Sequence, residues 1–144
     1  SLTIVPNNQK GVGCILDVSS CPDLLPVICS LSSIAEGSTT IEGIDICRYK
    51  ECNRVMAMRC ELQTLGVHVV EEKNRLTLKG VPTLKPFQVL NSYGDHRIAM
   101  ALTALSLALK GEQYSLIKDV ECCTVSYPNF LKTLTSIGAN IEIL

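Results

Sequence analysis

The chain lacks the long apolar runs, the charge excess and the metal-ligand spacings that define several large protein classes. No run of 18 apolar residues goes without polar interruption, and no basic n-region, apolar h-region and cleavage site follow one another. Neither a membrane span nor a secretory leader is expected. The net charge is only −1, which gives no basic field over the surface. Nucleic acid and acidic membrane are therefore not expected partners, and any anion site has to be local. There are two histidines and no Cys-x-x-Cys pair, so neither a zinc site nor any other metal or cofactor is expected. The eight cysteines (14, 21, 29, 47, 52, 60, 122 and 123) fall largely in apolar settings, where a free thiol packs as a small hydrophobe. Reduced thiols and a cytoplasmic location are the expectation. An initiator Met is also lacking, and Ser1-Leu2-Thr3 starts directly in apolar sequence, as an excised piece of a longer protein would.

What is present is a chain of 144 residues, 47% hydrophobic, enough for one real core in a single domain. Cys14–Val18 reads as a strand, and Asp23–Ala35 as a helix with Pro26 tolerated in its first turn. Leu24, Leu25, Val27, Ile28, Leu31, Ile34 and Ala35 leave that helix almost no polar face, which predicts burial all round. Thr39–Ile44 reads as the next strand, and Val55, Met58, Leu62 and Leu65 recur at helical spacing. The spacing predicts a helix from about Lys50 to Leu65, stopped by Gly66. Strands at Val67–Glu71 and Arg75–Lys79 follow, joined by a Lys73-Asn74 turn.

Gly80 to Pro86 is the only linker-like stretch, and it separates two similar halves. Ile15-Leu16-Asp17 answers Val89-Leu90-Asn91, Leu31-Ser32 answers Leu105-Ser106, Gly37 answers Gly111, and Asp45 answers Asp119. All four pairs keep a constant offset of 74. Leu62 to Gly66 answers Leu134 to Gly138 at an offset of 72. Each half reads strand, buried helix, strand, second helix, strand, with an extra strand closing the first. The expected fold is α/β, a repeated unit at 14–80 and again at 87–144, with outer sheets and helices within. The second greasy helix is read over Ile98–Leu109.

The charges fall at particular places in this repeat. Arg48-Tyr49-Lys50-Glu51-Cys52-Asn53-Arg54 brings three cations and a carboxylate to a predicted helix start. A cation there is disfavoured by about 0.3–1 kcal/mol unless something negative offsets it. The expectation is a bound anion, with Glu51 in the same site as a proton-transfer group. Asp95-His96-Arg97 repeats the oddity at the start of the second buried helix, with Asp95 as N-cap. At the offset of 74, Asp23 corresponds to Arg97. The repeat should therefore gather Asp23, Lys50, Glu51, Arg54 and Arg97 on one end of the domain.

These residues carry a resemblance. Arg48–Arg54 resembles the R-x-K-E-S/T-D-R stretch of the EPSP synthase (3-phosphoshikimate 1-carboxyvinyltransferase) family. Asp95–Ala101 resembles its D-H-R-[IM]-A-M-A stretch, Pro22-Asp23 its proline-aspartate, and Ser126–Phe130 its S-[FY]-P-x-F. The resemblance runs in order over nearly the whole chain. It implies transfer of the enolpyruvyl group of phosphoenolpyruvate to the 5-hydroxyl of shikimate 3-phosphate, releasing phosphate, between two domains of three βαβαββ units each. This chain would be two units of the C-terminal domain, with the N-terminal domain of the same protein as its missing partner. By the resemblance Asp23 contacts the 5-hydroxyl as candidate base and Glu51 protonates the methylene. Arg54 and Arg97 hold phosphoenolpyruvate, Lys50 lies against the shikimate phosphate, and His96 neighbours the site. The chain departs from the pattern at Val125, where some members carry lysine, and at Ile46, where an asparagine stands.

The chemistry asks for the same residue types. Bidentate guanidinium forks suit the carboxylate and phosphate of a polyanion such as phosphoenolpyruvate, and addition across its double bond needs both an acid and a base. Plainer readings exist for single residues. Asp23 could be an ordinary N-cap, Glu51 and Arg54 a solvated i,i+3 pair, His68 a strand residue and Ser126 a helix cap; Arg48 stays open. Two other functions fit less closely: a relative acting on UDP-N-acetylglucosamine, against which the K-E-x-x-R and D-H-R-I-A-M-A pair speaks, and a non-catalytic anion-binding module. If the thiols are reduced, titration of the denatured, unreduced protein should find all eight free. A lower count would overturn that expectation.

Overall fold

The structure, a computed structural model, describes residues 11–110 and 112–143. Gly111 of the internal repeat lies outside them. Strand β1 (Ile15–Asp17) pairs in parallel with β2 (Ser38–Glu42), with Ile15 opposite Thr40. Parallel pairing needs a crossover, which α1 (Leu25–Ile34) provides after a single 3-10 turn at Pro22–Leu24. β2 then pairs antiparallel with β4 (Arg75–Lys79), and β4 with β3 (His68–Glu71). The sheet order is β1-β2-β4-β3. Between β2 and β3 come a 3-10 segment, Asp45–Tyr49, and α2 (Arg54–Thr64). Past the linker, β5 (Gln88–Asn91) and β6 (Ser115–Lys118) form a separate parallel pair joined by α3 (His96–Ser106). A 3-10 segment, Val120–Val125, and α4 (Phe130–Ser136) end the described order.

Both halves thus run strand, helix, parallel strand, 3-10 segment, helix. The closing strand expected after the last helix is absent among the described residues, where 139–143 form no ladder. Ser126 does not cap α4; that helix starts four residues later, behind Asn129. No helix among them is long and apolar enough to cross a membrane.

Alternation explains how the sheet faces its core. In β4, Leu76 and Leu78 are buried while Arg75 and Lys79 are exposed, and in β2 Thr39 and Ile41 point inward. A period of two does this without any other information. Leu76, Leu78 and Ile41 meet Leu25 and Cys29 of α1, Val55, Met58 and Leu62 of α2, and Ile98 and Leu102 of α3 in one cluster. The helices pack against one another on the inner side of the sheet.

The all-round burial expected of α1 is not found. Val27, Leu31 and Ile34 are 42%, 63% and 41% exposed, while Ser30, Ser32 and Ser33 are buried. The reason lies in side-chain size. Small hydroxyls let α1 lie close against α3, where Ser30 donates to the Ala101 carbonyl at 3.0 Å. Ser33 satisfies its hydroxyl on the Cys29 carbonyl of its own helix. Val27, Leu31 and Ile34 are turned outward, while Leu25 stays in the core. Leu25→Ala should therefore destabilise the chain by about 2–5 kcal/mol in urea unfolding. Leu31→Ala should stay within about 0.5 kcal/mol. Equal losses at the two positions would show that the outer face of α1 is misassigned.

Candidate active site

The site is built where three helical starts converge, and its local structure differs from the sequence expectation. Lys50 and Glu51 are not in α2. The backbone at Lys50 is extended, and Asn53 caps the helix by accepting the Met56 N–H at 3.1 Å. An asparagine with its side chain bound to N3 is a strong helix start, so α2 opens at Arg54 and not four residues earlier. Arg54 then stands at the first helical position with no exposure at all. Asp95 caps α3 through the Arg97 N–H at 2.9 Å and is equally buried. Asp23 sits in the 3-10 turn before α1.

Arg54 is held on three sides. Its Nε donates to Asp95 Oδ2 at 2.7 Å and its Nη2 to Asp95 Oδ1 at 3.3 Å. Nη1 donates to Asp23 Oδ1 at 2.7 Å, and Nη2 also to Glu51 Oε2 at 2.5 Å. A guanidinium has five N–H groups, so these bonds leave it little to offer a ligand. The expectation that only a bound anion offsets the Arg54 charge is thereby corrected: three carboxylates of the chain itself do so. Desolvation by burial works against the charge, but the hydrogen bonds to Asp95 and Asp23 and the nearby charges raise the Arg54 pKa overall.

Asp23 is the meeting point of the remaining cations. Besides Arg54, it takes Lys50 Nζ at 3.4 Å on Oδ1 and Arg97 Nη2 at 3.2 Å on Oδ2. The Arg54 hydrogen bond, ahead of the Arg97 and Lys50 charges, holds its carboxyl below the usual range. Lys50 and Arg97 keep 28% and 39% of their side-chain surface open. These are the cations a ligand could reach. Lys50, Arg54 and Arg97 against Asp23, Glu51 and Asp95 make the cluster formally neutral as it stands.

Of the six residues singled out from the sequence, the structure joins five: Asp23, Lys50, Glu51, Arg54 and Arg97. His96 is adjacent in the chain and half-buried, but among the described residues no hydrogen bond or ion pair ties its imidazole to the others. Arg48, left open by the sequence, binds away from the cluster. It pairs with Glu71, which Arg59 also meets at 2.9 Å, and with the carbonyls of Glu72 and Lys73 at 3.2 Å. It fastens the 3-10 segment to the β3–β4 hairpin. Val125 and Ile46 are 78% and 51% exposed. Cys52 comes within 3.8 Å of Asp95 Oδ2, and burial pushes its thiol up to about 11. Sequence reasoning passed over Asn53, although an asparagine before an apolar-periodic run is a legible cap signal.

The family model and the curated relatives point to one family. The family model described as EPSP synthase (3-phosphoshikimate 1-carboxyvinyltransferase) matches residues 2–134. A 3-phosphoshikimate 1-carboxyvinyltransferase of Methanocaldococcus jannaschii is 40% identical over 97% of this chain and 32% of its own length. The enzyme of that name from Clostridium kluyveri is 40% identical over 94% of this chain and 31% of its own. The chain thus spans about a third of the curated relatives it matches. A solved EPSP synthase of Acinetobacter baumannii superposes with a TM-score of 0.77 at 24% identity, over 87% of this chain and 29% of that one. An enolpyruvyl transferase of Streptomyces tendae gives 0.74 at 22%, over 92% and 30%. At these identities the two structures establish the α/β fold.

The lowered Asp23 pKa has a pH consequence. The unfolded chain binds the proton more readily, so stability from this carboxylate is present above its unfolded value of about 3.9 and is lost as pH falls through the lower folded value. Melting temperature should drop through that acid window, and less steeply in Asp23→Asn. Identical acid limbs for the two proteins would count against the assignment.

Proposed function

This chain belongs to the EPSP synthase (3-phosphoshikimate 1-carboxyvinyltransferase) family, and from that premise we propose that it is the proton-transferring part of such an enzyme's C-terminal domain. The whole enzyme would transfer the enolpyruvyl group of phosphoenolpyruvate to the 5-hydroxyl of shikimate 3-phosphate and release phosphate. Residues 14–80 and 87–144 would be two of the repeated units of that domain, and an N-terminal domain of the same protein would close over the substrates. A cytoplasmic enzyme without metal or cofactor fits the reading.

The observation that carries it is the convergence on Asp23. A half-exposed carboxylate is touched by Lys50, Arg54 and Arg97, with Glu51 on the same Arg54 guanidinium. That brings two reachable carboxylates and two reachable cations to one spot. Asp23 takes the proton of the attacking hydroxyl, whose oxygen bonds to C2 of phosphoenolpyruvate. Glu51 delivers a proton to C3, giving a tetrahedral adduct. Collapse reverses the second transfer: C3 loses a proton, the double bond re-forms and phosphate leaves. Arg97 and Lys50 supply the first charge to the incoming anions. As those anions draw Lys50 and Arg97 toward themselves, Asp23 loses part of what depresses its pKa, the Arg54 hydrogen bond staying in place, and becomes a stronger base.

Arg54 is a poor probe of this site, because replacing it would leave the buried Asp95 without its partner and harm the fold. Arg97→Lys in the complete enzyme is the better one. It keeps the charge and loses the fork, so KM for phosphoenolpyruvate should rise about tenfold or more. Glu51→Gln should lower kcat by about 10²–10⁴ with KM little changed. The 144-residue chain alone should release no phosphate from the two substrates above background, since half a cleft cannot exclude water. Unchanged phosphoenolpyruvate kinetics in Arg97→Lys would reduce the cluster to structural ion pairs.

A further inference from the structure

The turn between β5 and α3, residues 91–95, is fastened at both ends to one face of α2. Arg54 holds its far end through Asp95. Glu61 holds its near end: Oε1 accepts the Tyr93 hydroxyl at 2.8 Å and Oε2 the Asn91 N–H at 3.1 Å. Positions 54 and 61 are seven apart, which returns to nearly the same face of a helix about 10 Å further along. Glu61 is 6% exposed, and among the described residues no cation pairs with it. Both of the donors it accepts from among the described residues are neutral.

The turn itself is strained. Tyr93 has φ +56°, a left-handed conformation that bulky side chains rarely adopt. Such strain persists only where the surroundings over-determine it. Here the Tyr93 N–H donates to Asn91 Oδ1 at 2.7 Å. Ser92, fully buried, donates to the Asp119 carbonyl at 3.2 Å and accepts the Gly94 N–H at 3.1 Å. The Asp95 N–H closes the turn on the Ser92 carbonyl at 3.0 Å.

We propose that Glu61 and Tyr93 are positioning residues: their hydrogen bond sets the β5–α3 turn on α2 and so fixes Asp95 against Arg54 and Arg97 against Asp23. Neither touches the cluster. They act through the turn, two residues upstream of Asp95 and four upstream of Arg97. The catalytic consequence rests on the proposed function, but the geometric claim does not.

The test therefore uses no substrate. In the 15N-labelled chain, the Arg54 Nε–H should be slow to exchange with solvent because it is buried on Asp95. Tyr93→Phe removes only the hydroxyl, and Glu61→Leu removes both acceptors. Each should speed that exchange about tenfold, as loss of one hydrogen bond in the chain of support allows. Glu61→Gln keeps one acceptor oxygen and should restore most of the protection. If Tyr93→Phe lowered the melting temperature but left Arg54 Nε–H exchange and chemical shift unchanged, the pair would be a stabilising contact only and the proposal would fall. Failure of the enolpyruvyl-transfer reading would leave the exchange result standing.

Discussion

A fully buried guanidinium, Arg54, is the constraint on which the rest of this structure depends. Taking a cation out of water is tolerable only when its partners are fixed in advance, and here they come from three places in the chain, two of them distant in sequence. Asp23 arrives from the turn before α1, Glu51 from the bend before α2, and Asp95 from the cap of α3. Each of those helices must therefore begin at one place. Asp95 is as buried as Arg54, so neither charge can be left alone without a penalty larger than most single packing contacts. The pair works as a joint between the two halves of the chain.

This joint also decides which groups remain free to do chemistry. Arg54 has most of its N–H groups on the chain's own carboxylates, whereas among the described residues Arg97 and Lys50 form ion pairs with Asp23 alone and keep part of their surface in solvent. In the proposed enzyme the neutral cluster would be a resting arrangement in which protein carboxylates occupy the places an anionic ligand competes for. The Asp23 carboxyl is depressed first by its Arg54 hydrogen bond and then by the charges of Arg97 and Lys50, so release of the outer two would leave the larger contact in place.

The core is narrower than the composition suggests. α1 spends its serines on close contact and leaves Val27, Leu31 and Ile34 outside, next to the exposed residues of β1. Apolar surface gathered on one face in this way is the pattern of an interaction surface. The relatives that match this chain are about three times its length.

Much was legible in the sequence for definite physical reasons. Alternation at Arg75–Lys79 dictated a strand with Leu76 and Leu78 inward, and that strand is found with the same bounds. The offset of 74 placed Asp23 and Arg97 at equivalent helix starts, and these two side chains do meet. The two seven-residue motifs pointed to the family to which the chain belongs. Tertiary structure decided the rest. Periodicity cannot tell a bound anion from an internal carboxylate as the counter-ion of Arg54, because both balance the same charge. Nor can it show that α1 faces inward with Ser30, Ser32 and Ser33, since an apolar helix looks alike from every side until a neighbour is chosen. The Glu61–Tyr93 contact spans 32 residues and depends on a left-handed tyrosine. No local signal encodes it; only the packing of the β5–α3 turn on α2 brings those atoms together.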